Sequence, residues 1–114
     1  MEIPSKIRVG SFDYDVELTD ETLVLNASQC LGIIDCDKLK IKVARNIQSK
    51  QKQEQTFLHE VVHAIVKEYK VDFTEDEETI VDKVSCGLHQ VIRDNFHEII
   101  TVGNITIKHE NSER

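Results

Sequence analysis

The spacing of apolar residues changes midway along the chain, and each half predicts a different kind of element. In the first half, apolar and polar residues alternate over 6–18 around Gly10-Ser11, and alternation resumes over 39–44 after a short apolar run at 30–34. A period of two is typical of strands with one buried face, and Gly-Ser suits a turn. The first half therefore predicts a β-hairpin followed by further strands of a small sheet.

From about residue 50 onward the apolar residues recur at helical spacing. A polar stretch rich in Gln and Lys leads into Phe57, Leu58, Val61, Val62, Ile65 and Val66. Intervals of three and four place such residues on one side of a helix, where they pack against a core. We therefore predict a core-packed helix that continues to about Tyr69.

A second helix is predicted soon after the first. Thr74 and Glu77 have the spacing of a capping box, in which a hydroxyl and a carboxylate satisfy backbone amides of the first turn. The helix is expected to end near Asn95. Its core-facing stripe is predicted to contain Val81, Val84, Leu88 and Ile92.

The tail alternates again, which predicts a C-terminal hairpin. Residues 99–102 and 105–107 are mostly Ile, Val and Thr, and Gly103-Asn104 between them suits a two-residue turn. Residues 110–114 are expected to be frayed. The chain is therefore interpreted as a single α+β domain over 1–114, with a small antiparallel-rich sheet packed on two helices.

Composition and charge limit the class of partner and the compartment. The chain of 114 residues has a formal charge of −7, so a nucleic-acid partner held through phosphate contacts is not expected. No run approaches the ~20 apolar residues of a membrane span, and the N-terminus lacks the apolar core of a signal peptide. The three cysteines form no CxxC pair. Reduced thiols and a cytoplasmic location are therefore expected.

The segment His59-Glu60-Val61-Val62-His63 carries the most specific chemistry in the sequence. Residues four apart on a helix lie one turn above each other, so both imidazoles can bind one Zn²⁺ ion. Glu60 lies beside them, where it can take a proton from a water that the metal has acidified and later deliver it to a leaving amine. The histidines are predicted as metal ligands and Glu60 as the catalytic base. Two ordinary surface histidines are the alternative.

A catalytic zinc site needs a third protein ligand, and the second predicted helix offers candidates. Glu78 lies on a polar stripe beside the apolar one, four residues before Asp82, which could orient a zinc-bound imidazole. Glu78 is the preferred ligand, with Glu77 and His89 as alternatives. The acids at 75–78 also have a simpler explanation, because negative charge in a first turn favours the helix N-terminus.

The chain resembles the minimal zincins of bacteria and their phages, which are related to the ImmA/IrrE-type metallopeptidases. The resemblance is carried by four stretches of the first 95 residues, namely 6–10, 32–35, 56–65 and 78–95. It implies the minimal zincin fold, in which a small sheet packs on the motif helix and a second helix donates an acidic ligand. By position, it implies His59, His63 and Glu78 as zinc ligands and Glu60 as general base.

Two functions follow from the resemblance. The first is a zinc-dependent peptidase that hydrolyses a peptide bond of a protein substrate, such as a regulator. The second is a zinc-containing protein-binding module of phage or bacterial origin, which sequesters its target without proteolysis. The fold alone does not separate them, because one fold carries many functions.

Overall fold

A mixed four-stranded sheet forms one layer of the fold. The computed structural model describes residues 1–96 and the backbone of 99–102 and 105–108. The sheet contains β1 (Lys6–Val9), β2 (Phe12–Thr19), β5 (Gly32–Asp35) and β6 (Lys40–Ala44), in the spatial order β1-β2-β6-β5. Two short strands, β3 (Leu23–Leu25) and β4 (Ser28–Cys30), pair separately. β5 therefore lies at one edge of the sheet.

The pairing of β2 with β6 is parallel, which the sequence pattern did not predict. It runs from Asp15 opposite Lys40 to Thr19 opposite Ala44. The other two pairings, β1 with β2 and β5 with β6, are antiparallel. A parallel pair requires a long crossover, and residues 20–39 supply it. The strands β3 and β4 lie in this crossover and were also not predicted, because each has only three residues.

The inner face of the sheet forms the core. Its fully buried side chains come from alternating positions of three strands: Ile7, Val9, Tyr14, Ile41 and Val43. The predicted alternation is therefore confirmed. The turn between β1 and β2 places Gly10 at a φ of 62°, a left-handed conformation that glycine adopts without steric cost.

The first helix, α1 (Lys50–Glu68), lies against this inner face. Ser49 caps it by accepting a hydrogen bond from the Lys52 amide, which satisfies one amide of the first turn. The apolar residues that α1 buries are Phe57, Val61, Ala64 and Ile65. Leu58 and Val62, which were predicted for the core, are instead 43% and 47% exposed.

The second helix, α2 (Glu77–Asn95), ends where the sequence predicted but begins differently. Its N-cap is Asp76, and the Asp76 carboxylate accepts a hydrogen bond from the Thr79 hydroxyl. The predicted capping box is therefore wrong. Thr74 instead donates its amide and its hydroxyl to Asp72 in the preceding turn.

The face of α2 that packs on the core differs from the predicted stripe. The residues that α2 buries are Gly87 and Val91, whereas the predicted core residues Val81, Leu88 and Ile92 are exposed. The cause is Gly87, at which an added Cβ would stand 2.5 Å from Ile65 Cγ2 and 2.9 Å from Tyr69 Cδ1. The missing side chain lets the two helices approach on that face. Its neighbour Cys86 is exposed.

The predicted C-terminal hairpin is confirmed in its strands. β7 (Ile99–Val102) pairs antiparallel with β8 (Ile105–Lys108). The predicted turn at Gly103-Asn104 and the predicted fraying of 110–114 fall outside the described residues. Neither described helix combines the length and the apolar content that crossing a membrane requires. Two helices on a mixed sheet make the domain α+β, as predicted.

Candidate metal centre

His59 and His63 lie one turn apart on an exposed side of α1. Their Nε2 atoms are 3.2 Å apart. The two rings meet edge to face, with centroids 4.9 Å apart and an interplanar angle of 70°. The helix therefore brings two imidazole nitrogens together at the protein surface, as the four-residue spacing predicted.

The distance between these nitrogens fits two ligands of one zinc ion. Two nitrogens bound to a tetrahedral zinc at about 2.0–2.1 Å stand about 3.3 Å from each other. A hydrogen bond between two neutral rings gives a similar separation. The distance is therefore compatible with both arrangements, and the acid beside the pair bears on which of them the protein uses.

That acid is Glu60, the only charged residue that is buried among residues 1–96, with 6% of its surface exposed. Within the same range no side chain or amide donates a hydrogen bond to its carboxylate. Burial raises the pKa of the Glu60 carboxyl, and the nearby rings of His59 and His63 lower it in part. A buried carboxylate without a partner costs stability, and a raised pKa is typical of groups that exchange protons in active sites.

The close approach of α1 to the edge strand β5 positions Glu60. A Cβ added at Gly32 would stand 2.6 Å from Thr56 Cγ2 and 3.2 Å from Glu60 Oε2. Only a glycine therefore lets the helix lie so near the strand. The prediction from the sequence gave Gly32 no role of its own. An isolated glycine in an apolar run is nevertheless the usual signal that another part of the backbone approaches closely.

Two hollows have His59 in their lining. One, of about 480 Å³, is lined by both histidines and by apolar side chains of α1, with Phe73 from the loop before α2. The other, of about 380 Å³, is lined by His59, Glu60 and residues 30–32. Gln55 and His59 line both hollows. We call these two adjoining hollows together the cleft.

The predicted third ligand, Glu78, lies in the first turn of α2 and is exposed. Within the described part of the chain, no three His, Cys, Asp or Glu side chains stand close enough together to hold a metal ion. Glu78 as a ligand stays a prediction, as do its alternatives Glu77 and His89. The role of Asp82, exposed one turn later, is also a prediction.

Comparison of the chain with protein families, with curated proteins and with solved structures gave no match. The resemblance to minimal zincins therefore stays a prediction from the sequence. What the described residues define is a class of site: two histidines on a helix beside a buried acid, in a cleft against a sheet edge.

Proposed function

We propose that this protein is a zinc-dependent metallopeptidase that hydrolyses a peptide bond of a protein substrate, such as a regulator. One arrangement supports this function above all. The Nε2 atoms of His59 and His63 lie 3.2 Å apart at the surface, next to the buried carboxylate of Glu60. Two metal-binding nitrogens beside an acid that is kept from water are the components of metal-assisted hydrolysis.

Each residue then has a distinct role. A zinc ion held by the histidines would polarise a substrate carbonyl and lower the pKa of water. Glu60 accepts a proton at its carboxylate and passes it to the leaving amine, a task for which desolvation makes the carboxylate a stronger base. Glu78 is proposed as the third zinc ligand, with Asp82 orienting one imidazole through its second nitrogen.

The edge strand β5 makes a polypeptide the substrate class that the cleft suits best. Since β5 ends the four-stranded sheet, an extended peptide can pair with it and continue the sheet. Gly32, at the start of β5, lies in the hollow that contains His59 and Glu60. A peptide bound along β5 would therefore pass the histidine pair with its backbone held in an extended conformation.

Sequestration of a protein target without proteolysis is the second candidate. It is favoured by the β3–β4 hairpin, where Val24 and Leu25 are 57% and 58% exposed, and by Leu31 next to it, which is also exposed. Grouped exposed apolar side chains are typical of protein-binding surfaces. In this function the zinc site would stabilise the fold, and Glu60 would transfer no proton.

Zinc content and cleavage should be measured together. The zinc-loaded protein is incubated with a proteome-derived peptide mixture, and new peptide termini are identified by mass spectrometry. Glu60→Gln is expected to keep about one zinc per chain and to lose activity by about 10²–10⁴-fold, the usual contribution of a general base. Glu54→Gln is the matched control, because Glu54 lies on the same helix and pairs with the N-terminal amine.

The outcomes separate the two candidates. Cleavage that disappears in Glu60→Gln but persists in Glu54→Gln supports the peptidase. Stoichiometric zinc with no Glu60-dependent cleavage would remove the peptidase and leave sequestration. Failure of the wild-type chain to bind zinc would remove both.

A further inference from the structure

We propose that an apolar trough beside the histidine pair receives a bulky apolar side chain of the substrate, such as Leu, Met or Phe, next to the bond that is cleaved. The trough is formed by Leu58, Val62, Val66 and Phe73. This proposal rests on the proposed peptidase function and adds the kind of sequence that the enzyme would select.

The trough follows from an apolar stripe of α1 that the core does not use. Leu58, Val62 and Val66 recur every four residues and so lie on one side of the helix. The helix packs on the sheet through a different stripe, which contains Phe57, Val61, Ala64 and Ile65. α1 therefore has two apolar stripes, one packed in the core and one open to the cleft.

The open stripe lies immediately beside the metal-binding side of the helix. Leu58 and Val62 each precede one histidine of the pair by a single residue, and they line the same hollow as His59 and His63. Phe73 reaches this hollow from the loop that joins the helices and is 68% exposed. A side chain in the trough would therefore lie beside the group that the histidine pair binds.

The chemistry of the lining selects an apolar occupant. Among the described residues, Gln55 is the only polar one besides the two histidines that lines this hollow, and none of the described lining residues is Asp, Glu, Lys or Arg. A charged side chain would lose water there without gaining a partner. The hollow measures about 480 Å³, within the range of pockets that bind small ligands and side chains.

The neighbouring hollow at the edge strand makes a substrate polypeptide the occupant that we propose. His59 and Gln55 line both this hollow and the one at Gly32 of β5. A single extended chain can therefore pair with β5 and place one side chain in the trough. Alternate side chains of a strand point to opposite sides, so we expect selection at one position and tolerance at its neighbours.

Binding and cleavage can test the trough separately. A displayed library of random octapeptides is selected on zinc-loaded Glu60→Gln protein, and enriched peptides are titrated against variants. Val62→Ser and Phe73→Ser are each expected to weaken binding by about 10-fold, because each removes apolar surface against which the bound side chain would be buried. Val81→Ser is the matched control, since Val81 on α2 is 52% exposed, against 47% for Val62, and does not line the cleft.

Selection of a bulky apolar residue at one position, with lower affinity in both trough variants, supports the trough. Enrichment of charged or small residues, or unchanged affinity in both variants, overturns it. Self-association or binding to phosphatidylglycerol vesicles that both trough variants abolish would also overturn it, since the occupant would then be a second copy or a lipid.

The trough and the peptidase can fail independently. If wild-type protein leaves the enriched peptides intact while the trough variants still bind them more weakly, the trough stands and the peptidase fails. If wild-type protein cleaves peptides without an apolar preference, and both trough variants cleave them equally, the peptidase stands and the trough fails.

Discussion

The carboxylate of Glu60 lies against the backbone of Gly32, so closely that a methyl group on the glycine would stand 3.2 Å from Glu60 Oε2. The same methyl group would stand 2.6 Å from Thr56 Cγ2, which is closer than two non-bonded carbon atoms can approach. The hydroxyl of Thr56 donates a hydrogen bond to Gln48 Oε1 at 2.9 Å, which fixes the side chain in place. Glu60, the proposed base, is thus positioned by the absence of one carbon atom on β5.

Replacing Gly32 by Ala should therefore disturb both stability and activity. We expect Gly32→Ala to lower the free energy of unfolding by about 1–3 kcal/mol, as overpacking in a core does. Thr56→Ser removes the clashing Cγ2 and keeps the hydroxyl, so Gly32→Ala/Thr56→Ser should recover most of the loss. Urea denaturation of the two single variants and the double variant measures this coupling. Additive effects in the double variant would show that the contact with Thr56 is not the cause.

The proposed zinc ligands can be tested one at a time by single substitutions. His59→Ala and His63→Ala should each lower zinc affinity by more than about 100-fold, since even residues that only orient ligands contribute about 10–100-fold. Glu78→Ala should have a similar effect, and Glu77→Ala should have little. Competition with a chromogenic chelator gives the affinities. A loss in Glu77→Ala or His89→Ala with none in Glu78→Ala would move the third ligand to that residue.

Tyr14 should make the stability of the protein sensitive to alkaline pH. Its buried hydroxyl donates to Glu68 Oε2 at 2.7 Å, and burial, reinforced by Glu68, raises the pKa of Tyr14 above its ordinary value. The folded state therefore holds a proton that the unfolded chain releases above about pH 10. The stability contributed by Tyr14 is complete below that pH and is lost as the pH rises, by at most about 1.4 kcal/mol per pH unit.

The variant Tyr14→Phe lacks this proton. Its free energy of unfolding, measured in urea at several pH values between about 8 and 11, should fall less steeply than that of the wild-type protein. At neutral pH, Tyr14→Phe should be less stable by about 1.5–3 kcal/mol, because it loses a hydrogen bond to a charged group. Equal slopes for both proteins above pH 10 would contradict the assignment.

Gly87 should behave unlike an ordinary glycine of a helix. In an exposed helix, Gly→Ala stabilises by about 0.5–1 kcal/mol. At Gly87 the new methyl group would stand 2.5 Å from Ile65 Cγ2, so we expect Gly87→Ala to be destabilising and Ile65→Val not to restore it, because valine keeps a Cγ2. Thermal unfolding of Gly87→Ala beside the exposed control Ser85→Ala measures the difference. A raised melting temperature in Gly87→Ala would contradict this prediction, because it would mean that α1 and α2 can move apart to accommodate the methyl group without loss of stability.

The structural features that the sequence predicted correctly depend on local geometry. His59 and His63 are four residues apart on one helix, so their proximity requires only that the helix form. The hairpin at Gly10 and the strand over 40–44 likewise follow from neighbouring residues. The contact of Glu60 with Gly32 is different, because it depends on how the chain crosses over between β2 and β6, which spacing along the sequence does not encode.

Helical spacing also identified apolar stripes without showing which of them is covered. Val81, Leu88 and Ile92 were predicted for the core but are exposed, since Gly87 and Val91 make the contact instead. Where two stripes of a helix are similarly apolar, the stripe that allows the neighbouring helix to pack more closely is the one that becomes buried. The start of α2 was misplaced for a related reason, because Thr74 and Asp76 are both good N-caps.

The open edge of β5 has a consequence for how the protein behaves in concentrated solution. Backbone amides and carbonyls on a terminal strand pair with any extended segment, including the same strand of another copy. Four residues make only a short template, and Asp35 at its far end is exposed and charged, which disfavours stacking of identical edges. Even so, a ligand that occupies the cleft would also cap this edge, so we expect it to raise the concentration at which the protein begins to aggregate.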